Sequence, residues 1–443
     1  MRRLSRIAIA LPLAAFASAA CRTPGATRTA PPVAMVAADV AVLASDSLEG
    51  RGTGTPGNDT AANYIAARYS ALGLEKPFAA DSAACAAAPC RAGDREGYLQ
   101  RFVARPASRG TVRQLPTQNV AAIIPGTDPA LRAQYVVLGA HFDHLGRSPE
   151  SALDPDAGDA VRNGADDNAS GTAAVMELAR RFALQPARRS ILVANFSGEE
   201  LGLLGSAWFV DHLPVPQDSV QAMVNFDMVG RLRDRRLIVY GTATARELPA
   251  LLDSANTSPA LTLAKVGDGF GPSDHSSFYA RGVPVLHFFT DLHPDYHRAT
   301  DDVATIDFRG LDQVIAYAER VTRALADRPA RLVVERPAAP VAASGGTARS
   351  GGGGVYFGSI PDMAAPEGTR GMRLTGVTPG SPADRAGLQA GDVIVEFGGT
   401  PVTALYTYTD ALRGPKPGDV VLVVALRGGA RTSFTVTLTA RAR

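Results

Sequence analysis

Tyr135-Val136-Val137-Leu138-Gly139-Ala140-His141-Phe142-Asp143 decides how the chain is read. Residues 135–140 show no polar alternation, the pattern of a strand covered on both faces. The run ends on an imidazole and, two positions later, a carboxylate. In open α/β sheets, ligands bind outside the carboxyl ends of the strands, so a strand followed at once by His and Asp marks a candidate site.

Outward from there the same arrangement recurs. Residues 191–196, 220–226 and 283–289 are apolar strand candidates, followed by Glu199 and Glu200, by Asp227, and by His293 and His297 respectively. Residues 237–240 are a further strand candidate. A fifth acidic group, Asp166-Asp167-Asn168-Ala169-Ser170-Gly171, sits just before a helical pattern over 171–183. Helical periodicity also runs over 60–72, with Ala61, Ile65, Tyr69 and Leu72 on one face, and over 311–326. The alternation predicts an α/β domain over 38–328: a mostly parallel mixed sheet flanked by helices. Any one His-x-Asp or Glu-Glu pair alone reads as an ordinary solvated pair. Acids and imidazoles delivered to one edge by four strands do not.

Composition narrows the function classes. The chain has 443 residues, with 45 Lys+Arg against 43 Asp+Glu, a formal charge of +2. No charge excess argues for nucleic acid or an anionic membrane surface. A hydrophobic content of 46% excludes a disordered chain. No internal apolar run reaches the ~18–20 residues of a membrane span.

At the N-terminus, Arg2, Arg3 and Arg6 precede an apolar stretch from Ile7 to Ala20, too short to cross a bilayer. Ser18-Ala19-Ala20-Cys21 resembles a bacterial lipoprotein signal, except that the motif prefers Leu or a similar residue where Ser18 stands. The expectation is a signal peptide over 1–20, a lipid on Cys21 as the only membrane contact, a tether over 21–37, and residence on the periplasmic side of a bacterial membrane. Ordinary cleavage and a periplasmic or secreted protein is the alternative. Three cysteines leave Cys85 and Cys90 as a pair in an oxidising compartment, where a short-loop disulfide is expected. Residues 329–353, rich in Pro, Ala, Ser and Gly, read as a flexible linker, and a small β-rich domain follows over 354–443.

The acid and imidazole set, without thiolate, suits zinc or a similar divalent ion. The segments Gly139-Ala140-His141-Phe142-Asp143-His144, Gly164-Ala165-Asp166-Asp167-Asn168-Ala169-Ser170-Gly171 and Phe196-Ser197-Gly198-Glu199-Glu200-Leu201-Gly202 carry a resemblance. Asn225-Phe226-Asp227-Met228, Tyr296-His297-Arg298-Ala299-Thr300-Asp301 and Leu48-Glu49-Gly50-Arg51-Gly52 complete it. Over about 39–325 the chain resembles the secreted bacterial di-zinc aminopeptidases, a family related to glutamate carboxypeptidases and glutaminyl cyclases. The resemblance implies two Zn2+ ions. Asp167 would bridge them, His141 and Asp227 would hold one, and Glu200 and His297 the other. Glu199 would be the general base, and Asp143 would orient His141. His293 is the rival of His297 for the last position, and His275, in a run that the resemblance also places near the site, lies close to it or faces substrate, with a core or surface role as the alternative. His144 is expected to be peripheral, His212 and His287 structural, and Asp166 and Asp301 hydrogen-bond support.

The run from Val355 through Ser381-Pro382-Ala383, Ala386-Gly387-Leu388 and Gly391-Asp392-Val393-Ile394 resembles a PDZ domain of bacterial periplasmic serine proteases. Such domains add an extended peptide as a strand and hold its terminal carboxylate on backbone N–H groups. The resemblance assigns that loop to Phe357, Gly358 and Ile360, with Pro361 limiting ladder pairing. The implied activity is an exported metal-dependent exopeptidase, an aminopeptidase in the first instance. The alternatives are a carboxypeptidase or other amide hydrolase on the same metals, or a catalytically silent PDZ-bearing binding protein. A glutaminyl cyclase needs no second metal set, whereas this chain retains all five ligand types.

Overall fold

The structure, a computed structural model, describes residues 32–78, 96–108, 111–148, 152–335, 355–361, 371–377, 380–402, 407–408, 411–412 and 414–440. The expected signal peptide, the lipidated Cys21, the Cys85–Cys90 pair and residues 336–353 of the expected linker lie outside them.

The sheet of the larger domain has eight strands: β1 Leu99–Ala104, β4 Leu115–Ile124, β5 Tyr135–His141, β6 Ser190–Phe196, β7 Val220–Phe226, β8 Arg236–Tyr240, β9 Thr262–Lys265 and β10 Val285–Phe289. A two-residue-strand hairpin, β2 Ala107–Ser108 and β3 Thr111–Val112, lies between the first two. The order across the sheet is β1-β4-β6-β5-β7-β10-β8-β9. The centre β6-β5-β7-β10 is parallel, and β1, β4 and β8 join antiparallel. In register, His141 stands opposite Phe196, Gly139 opposite Asn225, and Asn225 opposite His287. The carboxyl ends of the four central strands therefore open onto one edge.

Both faces of that centre are covered. Val136, Leu138 and Ala140 pack on one side with residues of helices α1 Pro32–Leu43, α3 Gly171–Leu184 and α7 Phe308–Asp327. Val137, with Leu192, Phe196 and Met223, packs on the other against Phe209 and Phe278 of α4 Leu204–Asp211 and α6 His275–Ala280. Alternate residues of one strand thus feed two cores, which is why the strand shows no polar alternation. Helix α2, Pro56–Ala71, starts where Thr55 accepts a bond from the Asn58 N–H and Pro56 fills the first turn. Helix α7 starts at Asp307, whose side chain accepts from Gly310 N–H, and buries Leu311, Val314, Ile315, Ala318, Val321 and Leu325 at three-to-four-residue spacing. Helix α5, Leu248–Ala255, packs against α7.

The structure moves two expected boundaries. Helix α1 begins at Pro32, inside the segment read as tether, because Val36, Val40 and Leu43 enter the core. At the other end, Leu332 is buried, and residues 333–335 exchange backbone bonds with Thr244, Ala245 and Arg246, so the linker starts later than 329. Strands β1 and β4 escaped the sequence reading. Their inward polar residues mask the pattern: Asn119 donates to the Gln100 side chain and the Gly205 carbonyl, and Gln118 donates to Asp59.

The C-terminal residues form their own core around Phe357, Leu374, Ile394, Phe397, Val423 and Phe434. Strands β11 Val355–Tyr356 and β18 Thr439–Ala440 pair with each other. A second sheet runs β12 Ser359–Pro361, β13 Met372–Val377, β14 Val393–Phe397, β16 Val420–Arg427, β17 Ala430–Thr437, with β15 Thr400–Pro401 beside β14. Helix α8, Pro382–Arg385, is capped by the Ser381 hydroxyl.

Candidate metal centre

Four strand ends and one loop supply the site. His141 is the last residue of β5, and Phe142 N–H continues the ladder onto Phe196 of β6. Glu199 and Glu200 leave the turn after β6, and Asp227 follows β7. The loop 165–170 enters from the side, held by Asn168, whose side chain donates to the Phe226 carbonyl and accepts from the N–H groups of Gly171 and Met228. His297 lies beyond β10 in a left-handed conformation.

The side chains form two adjoining groups, His141 with Glu199 and Asp227, and His144 with Asp167 and Glu200. His141 Nε2 lies 3.3 Å from Asp227 Oδ1 and 3.3 Å from Asp167 Oδ1. The other oxygen of Asp167 is 3.2 Å from His297 Nε2 and 3.7 Å from His144 Nδ1. Asp167 therefore spans the two groups. Glu200 sits between two imidazoles, Oε1 at 2.8 Å from His144 Nδ1 and Oε2 at 3.2 Å from His297 Nε2.

Electrostatics follow from crowding these charges out of water. Burial works against ionised His141, but Asp227 and Glu199 outweigh it and raise its pKa well above the usual value. Burial likewise opposes the His297 charge, and Glu200 and Asp167 overcome it. Asp167 resists burial through His144, His141 and His297, which hold it well below the usual carboxylate range. Glu200 is lowered to about 2, His297 outweighing burial. Burial raises Glu199 well above its usual value, and Glu200, Asp274 and Asp227 add to the rise.

Two anchors position the ligand-bearing loops. The Arg51 guanidinium, fully buried, donates from Nε to the Phe142 carbonyl (2.7 Å), from Nη1 to those of Leu43 and Asn163 (2.5 Å each) and from Nη2 to that of Gly164 (3.0 Å). It ties the segment carrying His141 and His144 to the segment carrying Asp167. Asp301 accepts the backbone N–H groups of Asp166 and Asp167 and is itself held by Arg231 at 2.9 Å.

The other residues singled out in the sequence fall at varied distances from this centre. Asp143 reaches His141 Nδ1 through its backbone carbonyl, 3.1 Å away, while its carboxylate is 3.7 Å off. That carboxylate accepts instead from Thr53 Oγ1 and from Glu199 N–H. The expected peripheral place of His144 is wrong: it is buried and abuts Glu200, because the chain after β5 turns inward, where His144 N–H bonds to the Arg51 carbonyl. His293 faces Asp166 at 3.3 Å, away from Asp167 and Glu200. His275 is buried and stacked on His287 at 4.3 Å, both lowered by burial. His212 is exposed, stacked on Trp208. In the C-terminal domain Phe357 points into the core, edge-on to Phe397 at 5.1 Å, so only its backbone is available to a carboxylate. Gly358 has φ +83°, with Ser381 where a Cβ would stand. Ile360 pairs with Gly376, and the register slips at Pro361. Arg51 is what the sequence reading missed; its sole signal was the Gly50-Arg51-Gly52 run.

The donor set fits divalent zinc. Imidazole nitrogens and carboxylate oxygens converge without thiolate, and both His144 nitrogens and Glu200 Oε1 are buried without a hydrogen bond. Such atoms are costly unless a cation meets them.

Residues 119–322 match the model of peptidase family M28, and residues 373–426 match that of the PDZ domain. A probable leucine aminopeptidase of Trichophyton verrucosum is 31% identical over 204 residues, covering 43% of this chain and 51% of that protein. Aminopeptidase YwaD of Bacillus subtilis is 30% identical over 192 residues, covering 40% of this chain and 38% of that one. The chain thus spans about half, or less, of the length of these curated relatives. The crystal structure of a zinc aminopeptidase from Bacillus subtilis superposes with a TM-score of 0.52 at 17% identity, over 69% of this chain and 98% of that one. That likeness speaks to the fold.

Proposed function

We propose that the protein is a zinc-dependent exopeptidase, an aminopeptidase that hydrolyses N-terminal peptide bonds; the matches of residues 119–322 to the peptidase family M28 model and of residues 373–426 to the PDZ model support that reading. The observation that carries the reading is Asp167, with one oxygen on the His141 group and the other on the His297 and His144 group. A carboxylate so placed suits two ions. One would be held by His141 and Asp227, the other by Glu200 and His297. Zinc held there would supply Lewis acidity for a scissile carbonyl and lower the pKa of a water.

The chain's own groups do the rest. Glu200 is committed to two imidazoles, which leaves Glu199 for proton transfer. Grouped with His141 and Asp227, its carboxylate is placed to take a proton from the attacking water and return it to the leaving amine. Asp143 holds the Glu199 backbone N–H and so positions that residue against His141. The working units are taken as 32–335 for hydrolysis and 355–440 for the PDZ domain, which would bind peptide along β12, an edge of its sheet. The N-terminal pattern supports export to the periplasmic side, with Cys21 as lipid anchor.

The test is a profile of amino acids released from a peptide library, with and without chelator. Chelator-sensitive release from the N-terminus, restored by zinc, is expected. Release from the C-terminus makes the enzyme a carboxypeptidase. No release by a zinc-loaded chain defeats the exopeptidase reading.

A further inference from the structure

The geometry points to His144 as a direct ligand of the zinc ion held by Glu200 and His297. This rests on the two-ion reading above and adds to it a third imidazole that reading does not use.

His144 has a fully buried ring and, among the described residues, neither of its nitrogens makes a hydrogen bond. Nδ1 is 2.8 Å from Glu200 Oε1, yet the two atoms are not aligned as donor and acceptor. A buried imidazole pays heavily for two idle nitrogens. A cation between Nδ1 and the carboxylates removes half of that penalty.

The spacing agrees. With zinc bonds of about 2.0–2.2 Å, tetrahedrally arranged donors lie roughly 3.3–3.6 Å apart. His144 Nδ1 is 3.7 Å from Asp167 Oδ2, His297 Nε2 is 3.2 Å from the same oxygen, and His297 Nε2 is 3.2 Å from Glu200 Oε2. These separations bracket the tetrahedral edge, whereas His144 Nδ1 and Glu200 Oε1, 2.8 Å apart, would have to part by about 0.5 Å or leave Oε2 as the Glu200 donor. The ring is also locked in place. It meets His297 edge-on at 5.7 Å, and a Cβ at Gly164, where φ is +56°, would fall 2.5 Å from His144 Cγ. A glycine there makes the room that the ring occupies.

The experiment is zinc X-ray absorption on the full-length zinc-loaded chain, with a competitive chelator titration of the wild type, His144→Ala and His144→Gln. Three imidazoles per zinc pair are expected in the wild type, and two in His144→Ala. One of the two zinc affinities should fall at least ~10–100-fold in both variants, the other staying near wild type. Two imidazoles per pair in the wild type overturns the assignment, whether or not either variant folds. So does a His144→Gln chain of wild-type affinity, because an amide replaces a hydrogen bond and not an imidazole ligand. A wild type that takes up a single zinc bonded to three imidazoles defeats the two-ion reading and leaves His144 as a ligand.

Discussion

Replacing Arg51 by Met removes the four hydrogen bonds its guanidinium donates to the carbonyls of Leu43, Phe142, Asn163 and Gly164. The Gly164 carbonyl keeps the Ala169 N–H; each of the other three, left without a donor, costs about 1–3 kcal/mol, so the gross loss is roughly 3–9 kcal/mol. Against it stands the relief of no longer burying a cation, several kcal/mol. Burial lowers the Arg51 pKa only to about 10, so the group is charged at neutral pH. The net expectation is a destabilisation of about 3–5 kcal/mol, the size seen when a buried charge network is broken. At about 2.1 cal/mol/K per residue over about 300 residues, that is a fall in Tm of roughly 5–8 °C. Differential scanning calorimetry on chelator-treated protein measures it free of any metal contribution. Zinc affinity should fall as well, since three of the four carbonyls, those of Phe142, Asn163 and Gly164, lie in or beside the segments bearing His144 and Asp167. Arg51→Lys, with fewer donors, should recover part of the loss. A methionine variant melting within about 1 °C of wild type would refute the argument that Arg51 holds the two loops together.

Three further outcomes are expected. Glu199→Gln should lose at least ~10²-fold in kcat while keeping its zinc, because only proton transfer is removed; turnover near wild type would exclude Glu199 as the base. His297→Ala should lower zinc content measured by mass spectrometry of the metal, and His293→Ala, which faces Asp166 instead, should not; the opposite result reassigns the ligand. Glu177 is clamped by Arg180 and Arg181 at 2.7 Å each, which holds its carboxyl below the usual 4.5 despite burial. A folded pKa below the unfolded one stabilises above pH 4.5 and loses that contribution as pH falls through the folded value. Urea unfolding of chelator-treated Glu177→Gln should therefore show a deficit of about 1–2 kcal/mol at pH 7 that shrinks below pH 4.5, and a deficit independent of pH would contradict it.

The residue order by itself determined that strands over 135–140, 191–196 and 220–226 would be buried on both faces, and that each would end in a metal-binding type of side chain. Those properties are local: apolar runs make strands, and the residues next in the chain stand at the carboxyl end. Position alone offered Asp166 beside Asp167 and His293 beside His297; it was the family resemblance that singled out Asp167 and His297. Direction was not legible. Whether His144 turns to solvent or to Glu200, and whether Asp143 offers His141 its carboxylate or its carbonyl, depends on how loops are held. Here they are held from far along the chain. Arg51 bonds to carbonyls 91, 112 and 113 residues away, and Asp301 to N–H groups 134 and 135 away. Strands β1 and β4 were hidden likewise, because the partners that satisfy Asn119 and Gln118 become neighbours only after folding. Donor identity is fixed by the covalent order of the chain, whereas donor aim is set by contacts between segments that have no proximity until the sheet closes around them.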